Sequence, residues 1–280
     1  MSTILNKKHF CYIPFEGLTI DPRGKAQLCP VWSKDHHLHD FTESSTKIND
    51  IFYSDAMKTI RSKMIKDEYV PECEACYKKE RKNIQTHRLR YAIQRDLDKA
   101  EDLKTNEPKI KSLDISFSNQ CNLGCVMCNS IHSSHWAEQE KTMPKDVFIK
   151  TKRIYDNYKF KPFVIQQEFL DSLTPLLSKL RHITIKGGEP LYDKNCLNFL
   201  NTVSNVNPDL NIRLVSNITI LSKRTLNILN KLNNVYLTAS IDGSHETYNW
   251  IRGFDFKTVD KNFHILSNHP SIKKLNILAA

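Results

Sequence analysis

The stretch SLDISFSNQCNLGCVMCNS, residues 112–130, decides the fold. A short strand pattern passes directly into a loop that carries Cys121, Cys125 and Cys128 at the spacing CxxxCxxC. Four more strand patterns follow, separated by helical patterns: HITIK (182–186), NIRLVS (211–216), VYLTASI (235–241) and KLNILA (274–279). Alternating strands and helices predict βαβ units in a parallel sheet. The cysteine loop would then leave the carboxyl end of a strand, where such sheets bind ligands.

Three cysteines at this spacing can surround one metal centre. A structural zinc site usually needs four protein ligands, so His132 or His135 would have to complete it. A 4Fe–4S cluster held by three cysteines leaves one iron open to a substrate or cofactor. The spacing therefore favours a catalytic iron–sulfur cluster, with zinc as the alternative.

Polar segments follow three of the later strands. In KGGEP, paired glycines allow close approach of a ligand to the backbone, and a carboxylate can meet an ammonium group. The other two segments are SN, at the end of NIRLVSN, and SIDGSHETYNWIRG. Instead of binding a ligand, their residues could form a helix cap, a turn or a surface ion pair. The candidate site residues are Gly187, Gly188, Glu189, Pro190, Ser216, Asn217, Ser240, Asp242 and Arg252.

CxxxCxxC after a strand, followed by KGGEP, resembles the radical S-adenosylmethionine (radical SAM) enzymes over residues 111–280. The resemblance implies an α/β fold, a partial (β/α) barrel of about five strands. It implies a 4Fe–4S cluster on Cys121, Cys125 and Cys128, whose open iron binds the amino and carboxylate groups of SAM. An electron would split SAM, and the 5′-deoxyadenosyl radical would abstract hydrogen from a substrate.

The same resemblance assigns roles to the later segments. It places GGEP at the SAM amino group and Ser216 and Asn217 near the ribose and carboxylate. Ile218 stands where the family's TNG-like segment has glycine. SIDG followed by RG resembles the peptide-modifying branch, so Ser240, Asp242 and Arg252 would face the site.

A second set of cysteines, Cys11, Cys29, Cys73 and Cys76, lies in the N-terminal segment. Spacing alone allows zinc or a second iron–sulfur cluster. The pattern CxxPFxxxxIxPxGxxxxC followed by CxxC resembles the twitch module, a short relative of the SPASM domain, over residues 9 to 90. The resemblance implies an auxiliary 4Fe–4S cluster, and predicts a module with its linker at 1–110 and the radical SAM core at 111–280.

Local patterns predict the elements of this N-terminal segment. Residues 13–20 are predicted as a strand, DPRG as a turn and KAQLCPVW as the partner strand. Helices are predicted within 49–68 and over 77–102, with a linker at 105–109. The basic stretch 78–95 is predicted to be a solvated helix face.

Composition limits the remaining possibilities. No apolar run approaches the roughly 18 residues of a membrane helix, which excludes a spanning segment. The start MSTILNKKHF lacks a secretory signal, so a cytoplasmic, reducing location is expected, with cysteines not in disulfides. Cys196 is predicted to be a buried core residue, and His36, His37 and His39 are predicted to lie in a solvated loop.

The resemblance therefore implies a radical SAM oxidoreductase of peptide-modifying type. The expected partners are SAM, a peptide substrate and an electron donor such as flavodoxin or ferredoxin, with neither membrane nor nucleic acid. The alternatives are an inactive relative, or a zinc-binding nucleic-acid adaptor that uses the net charge of +10. Because the last apolar run ends the chain uncapped, we also expect a fragment that needs a further segment or a partner chain.

Overall fold

The computed structural model describes residues 7–32, 36–97, 107–142 and 163–279. The strands are β1 (Gly17–Ile20), β2 (Lys25–Gln27), β3 (His39–Asp40), β4 (Ser112–Ile115), β5 (His182–Ile185), β6 (Asn211–Ser216), β7 (Val235–Ser240) and β8 (Ile272–Leu278). They form one eight-stranded sheet in the order β3-β2-β1-β4-β5-β6-β7-β8.

Helices connect these strands and cover the sheet. They are α1 (Ile13–Glu16), α2 (Ile48–Phe52), α3 (Asp55–Ile65), α4 (Glu74–Glu80), α5 (His87–Leu97), α6 (Ser134–Thr142), α7 (Gln167–Leu173), α8 (Lys194–Val206), α9 (Lys223–Leu229), α10 (His245–Arg252) and α11 (Phe256–Ser267), with 3-10 turns at Pro71–Cys73 and Thr174–Lys179.

The five predicted core strands are present as β4 to β8, and each is parallel to its neighbour. Their alternate residues, such as Ile183, Leu214 and Leu237, are at least 98% buried. Such alternation gives the sheet one apolar face for the covering helices and one more polar face. The predicted α/β class and partial barrel are confirmed, and Cys196 in α8 is buried as expected.

A sixth parallel strand comes from the N-terminal segment. β1 pairs with β4 in parallel, with Thr19 opposite Asp114, and β2 returns antiparallel after the predicted turn. The predicted strand over 13–20 is wrong in its first half, because Ile13–Glu16 form α1. Pro14 suits the first turn of a helix, and the chain becomes extended at Gly17. One sheet thus runs from the N-terminal segment into the core, while a division near residue 110 stays a prediction.

The predicted N-terminal helices are each divided in two. The first predicted helix is divided into α2 and α3. Ser54 caps the start of α3, because its side chain accepts a hydrogen bond from the Met57 amide. The second is interrupted between α4 and α5, where Asn83 has a φ of 57°. Residues 98–102 of that predicted helix, and 105–106 of the predicted linker, lie outside the described residues.

The basic stretch 78–95 differs from the expected solvated face. Arg88 pairs with Glu80, and Arg95, 6% exposed, pairs with Glu16. These arginines fold inward because each finds a carboxylate on a neighbouring element. The prediction is therefore wrong for these two residues.

β8 lies at one end of the sheet, with Ile277 59% and Leu278 51% exposed. This position matches the apolar edge noted in the sequence, and the fragment hypothesis stays a prediction. Within the described ranges, no helix combines the length and apolarity needed to cross a membrane.

Candidate cofactor site

The carboxyl ends of β4, β5, β6 and β7 lie side by side at one edge of the sheet. The loop that carries Cys121, Cys125 and Cys128 leaves β4 there and is anchored by the start of α6. The Cys121 amide donates to Ser134 Oγ at 3.1 Å, and Trp136 Nε1 donates to the Cys125 carbonyl at 2.9 Å. The loop is thus held by backbone contacts that leave the thiols available.

The three thiols of this loop are close enough for the charge of one thiolate to raise the pKa of another. Burial raises the pKa of Cys121 to about 12 and also raises the pKa of Cys128. Metal ligation requires thiolates, and a bound metal ion removes their protons. A soft, all-sulfur donor set of this kind suits iron–sulfur chemistry.

The segment KGGEP packs directly against the cysteine loop. Gly188 has a φ of 47°, and a Cβ there would lie 2.4 Å from the carbonyl oxygen of Gln120. The Glu189 amide donates to the same carbonyl at 2.7 Å. Only glycine fits this position, because the two backbones touch one residue before Cys121.

The Glu189 carboxylate joins the ends of β5 and β6. It accepts hydrogen bonds from Ser216 Oγ and the Asn217 amide, both at 2.6 Å, and from the Leu191 amide at 2.9 Å. Burial raises the pKa of Glu189, and these bonds oppose the rise. The carboxylate therefore positions two loops. Its predicted contact with an ammonium group stays a prediction.

Asn217 brings the end of β6 to the cysteine loop. Its Nδ2 donates to Asn122 Oδ1 at 3.1 Å and lies 4.0 Å from Cys121 Sγ. The next residue, Ile218, is 1% exposed and has a φ of 50°, which is an outlier for a β-branched residue. Asn262 Nδ2 donates to the Ile218 carbonyl at 2.8 Å and helps to hold this strained backbone.

The SIDG loop and α10 approach from the other side. Asp242 and Arg252 form an ion pair with both side chains nearly buried, and Arg252 Nη1 donates to Cys125 Sγ at 3.5 Å. The Val126 amide also donates to the Ile251 carbonyl at 2.9 Å. Of the other predicted residues, Ser240 ends β7 half-buried, and Pro190 is buried next to Glu189.

The four N-terminal cysteines form a second site. Cys11, Cys29, Cys73 and Cys76 line one narrow cavity, together with His87 and other residues. Burial raises the pKa of Cys11 and Cys29, and that of Cys73 to about 12. All eight cysteines are free thiols, as expected.

His36, His37 and His39 were predicted to lie in a solvated loop. His36 and His37 are exposed, as predicted. His39 is half-buried in β3, with Nε2 2.9 Å from the Ser44 carbonyl oxygen. Across the described residues, no three His, Cys, Asp or Glu side chains are arranged to hold a single metal ion.

Sequence reasoning missed two residues at the first site. Trp136 holds the Cys125 carbonyl, and Tyr248 is fully buried with a hydroxyl that has no hydrogen-bond partner among the described residues. Both lie on helices whose patterns indicate ordinary packing. For Trp136, only its position beside the cysteine loop gives it a role there.

Comparison with known sequences gives two family matches. Residues 115–278 match the radical SAM superfamily, and residues 11–77 match SPASM, an iron–sulfur cluster-binding domain. No curated protein matches the chain in sequence.

Solved structures with similarity to this chain include native anSMEcpe with bound AdoMet, at 21% identity and a TM-score of 0.41, covering 60% of this chain and 43% of that one. Streptococcus suis SuiB bound to S-adenosylmethionine has 17% identity and a TM-score of 0.38, covering 81% and 47%. SuiB bound to precursor peptide SuiA has 16% identity and a TM-score of 0.40, covering 80% and 46%. The chain thus spans less than half the length of each of these structures.

Proposed function

The chain belongs to the radical SAM superfamily, and we propose that it cleaves S-adenosylmethionine reductively and modifies a substrate by hydrogen abstraction. The family's cofactors are a 4Fe–4S cluster and SAM. The SPASM match over residues 11–77 adds an auxiliary iron–sulfur cluster. A radical SAM oxidoreductase with two clusters is the function that these features support best.

The observation that carries this proposal is the packing of the KGGEP backbone against the loop of three thiols. Cys121, Cys125 and Cys128 would hold the first cluster. When bound, that cluster would supply one electron to SAM, which would break the C5′–S bond to give methionine and a 5′-deoxyadenosyl radical able to abstract a hydrogen atom from the substrate. The protein's part is to hold the loop, the glycine pair and the end of β6 in fixed contact.

SAM would bind at this same edge, beside Asn217 and the glycine pair. The support is that all the predicted contact residues lie at or after the carboxyl ends of β5, β6 and β7: Gly187, Gly188, Glu189, Pro190, Ser216, Asn217, Ser240, Asp242 and Arg252. Glu189 would act by orienting Ser216 and the Asn217 amide, since its carboxylate already accepts three hydrogen bonds.

Cys11, Cys29, Cys73 and Cys76 would hold the auxiliary cluster. Four thiols line one cavity, and the described residues around it include no carboxylate. Four thiolates suit either zinc or an iron–sulfur cluster, and the match of residues 11–77 to an iron–sulfur cluster-binding domain favours the cluster.

A peptide is the substrate class that we propose, with a flavodoxin or ferredoxin as electron donor and a cytoplasmic location. The resemblance of SIDG and RG to peptide-modifying enzymes supports it. So does the polar face of the sheet, where Asp114, Thr184, Arg213 and Tyr236 lie in register across four strands. Such a row offers hydrogen bonds and charge to a polar chain.

The test is anaerobic reconstitution with iron, sulfide, SAM and dithionite, followed by measurement of 5′-deoxyadenosine. We expect about eight irons per chain from two 4Fe–4S clusters. Cys125→Ser should abolish 5′-deoxyadenosine, whereas Cys73→Ser should retain uncoupled SAM cleavage. Cys196→Ala is the matched control, because this buried cysteine lies in α8 and should leave the iron content unchanged.

Three results would contradict the proposal. Absence of 5′-deoxyadenosine from a folded, iron-loaded protein would contradict SAM cleavage. Zinc in place of half the iron would contradict the auxiliary cluster. Equal loss of cleavage in Cys125→Ser and Cys73→Ser would contradict the separate roles of the two sites.

A further inference from the structure

We propose that Arg252, held by Asp242, is a positioning residue that raises the reduction potential of the cluster on Cys121, Cys125 and Cys128. The proposal rests on the function proposed above. It differs from the family-based expectation, in which Arg252 faces SAM. The observation that motivates it is a hydrogen bond from Arg252 Nη1 to Cys125 Sγ, at 3.5 Å.

The arginine is fixed on three sides. Its guanidinium forms an ion pair with Asp242, and the side-chain exposures of Arg252 and Asp242 are only 12% and 5%. Its backbone follows Ile251, whose carbonyl accepts a hydrogen bond from the Val126 amide at 2.9 Å. Arg252 also ends α10, and Gly253 then turns the chain in the left-handed region. The guanidinium is therefore pre-organised beside the sulfur.

A fixed cation at a ligating sulfur acts on the redox equilibrium. Reduction adds one electron, from a low-potential donor such as dithionite, and so adds negative charge to the cluster. Hydrogen bonds to the sulfurs and nearby positive charge stabilise that reduced state, and burial strengthens the effect. Arg252 therefore makes the cluster easier to reduce, and Asp242 keeps the guanidinium in place.

The experiment poises the reconstituted 280-residue chain at a series of potentials with dithionite and follows the reduced cluster by EPR without SAM. The signal of the first cluster is identified in a parallel sample as the one that changes when SAM is added. Arg252→Gln should lower the equilibrium constant for one-electron reduction about tenfold, which is about 59 mV in midpoint potential. Arg252→Lys should fall between, because an ammonium keeps the charge but not the forked geometry.

Two further variants separate the effect of the Arg252 charge from that of its Asp242 partner and from the loss of any surface arginine. The double variant Asp242→Asn with Arg252→Gln removes both charges, so it should recover part of the shift. Arg224→Gln, which removes an exposed arginine on α9, should leave the potential unchanged. If Arg252→Gln fails to load iron, Arg252→Lys and its intermediate shift decide the outcome.

The failures are distinguishable. If no EPR signal responds to SAM, the proposed function fails. If the signal responds to SAM but the Arg252 variants keep the wild-type midpoint potential, this inference fails. It fails even if those variants are less stable or bind SAM more weakly. Weaker SAM binding at an unchanged potential would assign Arg252 to the SAM carboxylate instead.

Discussion

Alanine at Gly188 would test the contact between the KGGEP segment and the cysteine loop. The new Cβ would lie 2.4 Å from the Gln120 carbonyl oxygen and 2.9 Å from the Asn119 carbonyl carbon. Both are backbone atoms, so no side-chain rotation relieves the clash. The loop must shift at the residue before Cys121, or the end of β5 must.

The expected cost has two parts. An alanine in the left-handed region costs about 1–2 kcal/mol. Overpacking against the Gln120 carbonyl adds about 1–3 kcal/mol. Gly253 offers the matched control, because its φ of 67° carries the first cost while nothing lies within 4 Å of its Cβ position. Gly188→Ala should therefore be less stable than Gly253→Ala by about 1–3 kcal/mol.

Urea unfolding of the metal-free variants measures this difference, and iron content after reconstitution measures its consequence for the site. Gly188→Ala should also bind less iron at the first cluster, because its clash displaces the backbone next to Cys121. If the two alanine variants agree in stability within about 0.5 kcal/mol, the tight backbone approach is not real. Equal stability with equal iron content would show that the contact between Gly188 and the Gln120 carbonyl does not hold the cysteine loop in place.

Three further predictions concern buried groups near the same sheet. Glu189→Gln turns an amide NH₂ toward a donor, so it should cost about 2 kcal/mol in unfolding free energy, whereas exposed Glu246→Gln should cost almost nothing; equal losses would contradict the bridging role. Ile218→Gly should be more stable than Ile218→Ala by about 1 kcal/mol, because glycine relieves the left-handed backbone; the reverse order would disprove strain. The pKa of His182 is lowered from 6.5 to about 3 by burial and then by Arg213 and Arg181. The unfolded state therefore binds the extra proton as pH falls below 6.5, so wild type should lose about 2 kcal/mol more than His182→Asn between pH 7 and pH 5, and parallel pH profiles would contradict this.

Much of the first site could be predicted from the sequence, because its chemistry depends on short-range patterns. Cys121, Cys125 and Cys128 lie within eight residues, and the paired glycines directly follow the strand pattern 182–186. Parallel strands in βαβ units bring their carboxyl ends to one edge. The strand patterns put both the cysteine loop and KGGEP at carboxyl ends of strands, and the family resemblance put them at one site. The contact between Gln120 and Gly188 agrees with this.

Local patterns were less informative at the N-terminal segment. Ile13 to Ile20 is uniformly apolar enough to suggest one strand, yet helix α1 takes its first half. The parallel pairing of β1 with β4 joins segments more than 90 residues apart in sequence. Periodicity indicates which face of a strand is buried but not which strand lies beside it, so this neighbour was decided by tertiary packing.

The sequence by itself determined the parallel core, and it predicted the cysteines that would ligate the clusters. Only the tertiary structure decided that the Glu189 carboxylate holds Ser216 and Asn217, and that Arg252 reaches Cys125 from 127 residues away. The physical reason is the range of the forces involved. Spacing and hydrophobic period act over a few residues, whereas a hydrogen bond between loops depends on the relative heights of strands and the angles of helices, which the packed sheet as a whole sets.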